Sequence, residues 1–107
     1  MDEALAHWLT GEDGRRALAE AAGLADPASV AAAQALRRRW SPEQAAAVSH
    51  QEQLRRRGVA KFGERARSLW WTADGLEQAT RAPVAAWLAA RLAAAGATRA
   101  VDLGCGV

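Results

Sequence analysis

The sequence predicts a mainly α protein: a small helical domain with a short β-hairpin, followed by the first strand of a Rossmann-like, doubly wound α/β fold. Three observations carry this. From Leu5 to Leu69 the apolar residues recur at steps of three, four and seven, the period of helices with one buried face. That period fails at Leu69-Trp70-Trp71-Thr72, an aromatic, β-favouring run followed by the turn signal Ala73-Asp74-Gly75. The last stretch, Val101-Asp102-Leu103-Gly104-Cys105-Gly106-Val107, leads from apolar residues through an acid into Gly-x-Gly, as a buried parallel strand does when its loop approaches a ligand closely. Residues 1–96 are therefore expected to form the helical domain, with the hairpin near 69–79, and residues 97–107 the strand and loop.

The elements follow in order. Asp2 to Leu9 reads as a short helix with acids at its start and Leu5, Trp8 and Leu9 on one side. Thr10 and Asp13 give a capping-box-like start to a second helix carried by Ala17, Leu18, Ala21 and Leu24, with Gly23 at its exit. Asp26-Pro27 and Ser41-Pro42 repeat one signal, an N-cap followed by proline, and predict helices from Pro27 to Arg39 and from Pro42 to Arg57. The second continues its stripe through Gly58 and Phe62. Leu69–Thr72 and Leu76–Ala79 are the arms of the predicted hairpin. Thr80 is expected to cap a helix whose face is Val84, Trp87, Leu88 and Leu92 and which Gly96 ends, before a strand from Thr98 to Leu103.

Composition bounds the function. A chain of 107 residues buries a modest core, and its single Cys excludes an internal disulfide and a Cys-based metal cluster. No signal-peptide segment and no apolar span of about 20 residues is present, so a cytoplasmic setting and no membrane partner are expected. The charge balance, 14 basic against 12 acidic residues, is too even to argue nucleic-acid binding by itself, although the pI of about 9.5 leaves room for it. Every basic residue but Lys61 is Arg, which a GC-rich coding sequence produces as readily as selection for guanidinium chemistry. The triplets Arg37-Arg38-Arg39 and Arg55-Arg56-Arg57 admit two readings. Cations in a last helical turn complement the dipole, and three consecutive residues fan around the axis; alternatively Arg55, Arg56 and Arg57, with Lys61, face RNA phosphates. His7 has no second ligand at helical spacing, and His50, among Ser49, Gln51 and Glu52, reads as a plain exposed side chain, so no metal site is assigned.

Gly104-Cys105-Gly106 after a strand also opens the dinucleotide fingerprint, whose third Gly would lie beyond Val107. Cys105 reads as a small space-filler between the glycines, and no catalytic residue is assigned. With Asp102 two positions before the first Gly, the stretch resembles motif I of the class I S-adenosylmethionine (SAM) dependent methyltransferases. Lys61-Phe62-Gly63, Leu69-Trp70-Trp71-Thr72 and Gly75-Leu76-Glu77-Gln78-Ala79-Thr80-Arg81 are similar to the segment before motif I in bacterial methyltransferases with a THUMP-like domain, and more distantly to the N-terminal extension of trimethylguanosine synthases. The resemblance covers roughly residues 44–107.

What it implies is a SAM-dependent methyltransferase acting on RNA, with Asp102, Gly104 and Gly106 in the cofactor loop and Gln78 and Thr80 near the methionine part of SAM. It also implies truncation within motif I. No second strand supplies an acid for the ribose and no later motif performs the transfer, so this polypeptide is expected to be catalytically incomplete and not to bind SAM appreciably by itself. The alternative is a free-standing helical module that binds RNA or protein without enzymatic activity. A homodimer through residues 81–103 is a further expectation, since an unpaired apolar strand and its neighbouring helix would seek cover.

Overall fold

The computed structural model describes residues 1–104; Cys105, Gly106 and Val107, and with them the Gly106 assignment, lie outside the described residues. The elements are α1 (Glu3–Thr10), α2 (Glu12–Ala22), α3 (Val30–Arg37), α4 (Pro42–Phe62), a 3₁₀ helix (Gly63–Ser68), α5 (Ala73–Gln78) and α6 (Ala82–Ala94).

Local chemistry sets the starts. The Asp2 carboxylate accepts from the Leu5 N–H at 2.7 Å and caps α1. Thr10 does not cap α2, because its hydroxyl donates backwards to the carbonyls of Ala6 and His7, and Gly11 fills the N-cap instead. The link between the two helices is so tight that a β-carbon on Gly14 would lie 2.1 Å from the Leu9 carbonyl oxygen; only glycine fits. α3 begins three residues later than Asp26-Pro27 suggested. Asp26 accepts from the Ala28 N–H at 2.9 Å, which turns the chain, and Ser29 becomes the true cap by accepting from Ala32. Pro27 is buried, and its carbonyl receives the Ser49 hydroxyl of α4.

α4 is the axis of the molecule. A reciprocal capping box between Ser41 and Gln44, with Pro42 at the first position, starts it. It runs unbroken through Gly58, where the missing side chain admits Ala66 and Trp71, and stops at Gly63, whose φ of +62° turns the chain into the 3₁₀ helix. Leu9, Ala17, Leu18, Ala21, Leu36, Ala45 and Val48 form the core between α1, α2, α3 and α4. Trp8 and Trp40 close it with an edge-to-face contact at 5.5 Å between ring centroids.

The fold class read from the sequence is corrected on two elements, because the described residues are helical with no strand. No hairpin forms near 69–79. The Thr-Ala-Asp-Gly run that reads as a hairpin turn is a helix start, in which the Thr72 hydroxyl accepts from the Gly75 N–H at 3.0 Å and α5 follows. Trp71 does have an edge partner, but it is a side chain: Gln51 donates from Nε2 to the Trp71 carbonyl at 2.9 Å and accepts the Trp71 N–H at 2.8 Å. One amide thus satisfies both backbone groups that a second strand would have taken.

The second correction concerns residues 98–103, the expected first strand of a Rossmann-like fold. They are irregular, and Val101 and Leu103 are 84% and 95% exposed. A strand exists only as a member of a ladder, and no other described segment offers an edge. What precedes them is well formed. Gly96, at φ +85°, ends α6 with paired bonds from Gly96 N–H to Ala93 and from Ala97 N–H to Leu92. α6 is exposed along its whole length, and the chain spans 54 × 28 × 21 Å.

Candidate cofactor site

One cavity, of about 310 Å³, gathers residues that are far apart in sequence. Gln78 and Thr80 line it from the end of α5, and Asp102 and Gly104 line it from the segment after α6. All four are residues to which the methyltransferase resemblance assigns a place at the cofactor. Trp71, Gly75 and Ala79 complete the described lining.

Each wall is held by identifiable contacts. Trp71 is fixed by Gln51 at its backbone, by the bond from its Nε1 to the Ala66 carbonyl at 3.0 Å, and by Phe62, 5.3 Å from it between ring centroids. The Gln78–Thr80 rim depends on Lys61. Its Nζ donates to the carbonyls of Leu76 at 2.6 Å, Glu77 at 2.8 Å and Ala79 at 3.5 Å, which terminates α5 and aims the chain into the cavity. Three carbonyls converging on one point suit a compact ammonium with three donors. This is the position at which a chain with 14 basic residues uses its only Lys. Opposite, the Asp102 carboxylate accepts from the Gly104 N–H at 3.0 Å and shapes the start of the loop. Asp102 is the one charged residue in the described lining.

The sequence reading missed Trp71 and Gly75 as site residues because it spent both on the hairpin. The signal that could have found α5 was Thr72, an N-cap residue followed by the acid Asp74 in the first turn.

The basic residues considered for nucleic acid do not act as one patch. Arg56 points inward: its Nε meets the Glu52 carboxylate at 2.8 Å, and its terminal amino groups donate to the carbonyls of Leu24 at 2.7 Å, Ala25 at 2.9 Å and Ala22 at 3.4 Å. It thereby closes the open end of α2. Lys61 is committed to α5 as described. Arg57 is exposed on the side of α4 that borders Leu76, Glu77 and Arg81. Arg55 lies over the Trp70 ring, 4.7 Å from its centroid, and donates from Nε to the Leu69 carbonyl. Burial pushes the Arg55 guanidinium below its ordinary pKa, an effect that the Glu52 carboxylate partly offsets.

Among the described residues, no helix is long and apolar enough to cross a membrane, and no group of three or more His, Cys, Asp or Glu residues could hold a metal ion. In comparison with known proteins, residues 2–58 match the model of a domain of unknown function, DUF8688. That match covers α1 to α3 and most of α4, the part that holds the core, and stops before the cavity. No curated protein and no solved structure matches the chain.

Proposed function

We propose that this chain, which belongs to the DUF8688 family, supplies the methionine-side wall of the cofactor site of a SAM-dependent methyltransferase that modifies RNA, and is catalytically incomplete by itself. The observation that carries the reading is the convergence of Gln78, Thr80, Asp102 and Gly104 on one cavity from two segments separated by α6. A chance strand-and-turn sequence gives no reason for that meeting.

Charge separates the two ligands that a Gly-x-Gly loop suggests. SAM carries a sulfonium and an ammonium against one carboxylate, a net positive ligand, and the charged group in the described lining is the Asp102 carboxylate. A dinucleotide would bring a pyrophosphate to the same acid with no described cation beside it, so SAM is favoured. At about 310 Å³ the cavity lies at the small end of the range for ligand sites and suits one part of the cofactor. Thr80 and Gln78 offer a hydroxyl and an amide for the polar groups of the methionine moiety.

The test is a titration of the ¹⁵N-labelled chain with SAM followed by amide shifts. The expected result is weak, millimolar binding that moves Gln78, Thr80, Asp102 and Gly104 and is lost in Asp102→Asn. Shifts scattered over α1 to α4, or stronger shifts of the same four residues with NAD, would overturn the assignment.

A further inference from the structure

A second recess, of about 220 Å³, lies between α2, α4 and the 3₁₀ helix. It brings Arg15 of α2, Arg55 of α4 and Arg67 of the 3₁₀ helix together over Leu18, Ala22 and the buried Glu52. The carboxylates nearby are already paired. Glu52 takes Arg56 at 2.8 Å and Arg67 at 3.6 Å, and Glu64 takes Arg67 at 3.0 Å. Four guanidinium groups therefore face two carboxylates, an excess of two positive charges. Arg16 absorbs the neighbouring acids Glu12 and Asp13, which leaves Arg15 unpaired among the described residues. Arg55 spends its Nε on the Leu69 carbonyl, while its terminal amino groups make no bond among the described residues.

The recess is too small for a drug-sized ligand, yet it matches a single tetrahedral anion, and guanidinium forks fit phosphate oxygens. What lies beside it narrows the anion. Trp70, under Arg55, is 36% exposed and offers ring surface of the kind on which a base stacks. Trp70 and Trp71 also border an apolar groove of about 170 Å³ with Leu9 and Thr72, and Trp71 is a wall of the cofactor cavity. Charge, aromatic surface and the cofactor cavity thus follow one another along the molecule.

We propose that the Arg15–Arg55–Arg67 recess is a phosphate subsite that holds one phosphodiester of a single-stranded nucleic acid, with a neighbouring base stacked on Trp70. This deepens the methyltransferase reading by giving its acceptor a docking point, and in that respect rests on it; the subsite itself does not require SAM. The two tests are separable, because SAM is titrated by amide shifts and the strand by its own signal.

The experiment is fluorescence polarisation of 5′-fluorescein deca-uridylate with the full chain and with two variants of equal net charge. Arg15→Gln removes an unpaired guanidinium from the recess. Arg38→Gln removes an exposed one at the end of α3, outside it. A local subsite gives about a tenfold loss for Arg15→Gln, the scale of one charge-assisted contact, and lowers the logarithmic salt slope by about 0.7, the single-strand increment per phosphate. Arg38→Gln should stay within about twofold of the parent chain. Trp70→Leu should weaken the oligonucleotide without changing competition by inorganic phosphate. Equal losses in the two arginine variants would reduce the effect to a diffuse field and overturn the proposal, as would the absence of binding at low salt. Inorganic phosphate that binds as tightly as the oligonucleotide would also overturn it, by reassigning the recess to the free ion.

Discussion

Replacing Arg56 with Met should unfold a large part of the stability of this chain, although the residue sits in a run of three arginines that looks like solvated surface. The variant keeps an unbranched apolar stem and removes the guanidinium. Glu52, whose side chain is 2% exposed, then retains only Arg67 at 3.6 Å. The carbonyls of Ala22, Leu24 and Ala25 lose their donors at the end of α2. Removing one partner of a buried pair costs about 3–5 kcal/mol. The Arg56 side chain is 30% exposed, so solvent screening lowers the expected cost to about 2–3 kcal/mol. In a domain of this size that corresponds to a fall in Tm of roughly 10–20 °C. Urea denaturation followed by circular dichroism at the helix band measures it, with Arg57→Met as the exposed neighbour expected to change stability by less than about 0.5 kcal/mol. Adding Glu52→Gln to Arg56→Met should recover about 1–2 kcal/mol, since a neutral amide without its partner costs less than a buried charge. Equal losses for the Arg56 and Arg57 variants, or strict additivity of the Glu52 and Arg56 changes, would refute the reasoning.

Two further outcomes are expected. Lys61→Met should lower hydrogen-exchange protection in α5 by about tenfold or more while leaving α1 to α4 unchanged, because the three carbonyls then lose their donor; unchanged α5 protection would show that the Lys61 ammonium does not hold α5. Because α6 is apolar on nearly all sides yet exposed, with Trp87 and Leu88 at 58% and 50%, the chain should self-associate through residues 81–103, and Leu92→Glu should restore the monomer; sedimentation equilibrium showing a monomer at high concentration would refute this.

The sequence by itself determined where local chemistry is decisive. Ser41-Pro42 specifies a helix start that needs no partner, and Gly96 specifies a stop, because both act within a few residues of backbone. The sequence could not decide elements whose backbone partners come from elsewhere. Leu69–Thr72 has strand-like residues, but its ladder partner is the single side chain of Gln51, twenty residues away, and the turn beyond it is a helix cap. Asp26-Pro27 carries a start signal, yet Asp26 turns the chain by accepting from the Ala28 N–H and Ser29 takes the cap, while the Pro27 carbonyl is met by the Ser49 hydroxyl of α4. Among three adjacent arginines the sequence offers no ranking, since a helix sends successive side chains in different directions. Tertiary structure turned Arg56 into a cap for α2, set Arg55 on Trp70 beside Arg15 and Arg67, and left Arg57 outside. It also brought Gln78 and Thr80 to Asp102 and Gly104 across the length of α6. Periodicity and capping are short-range and legible in one dimension, whereas a cavity is a coincidence of distant surfaces that exists only once the helices have packed.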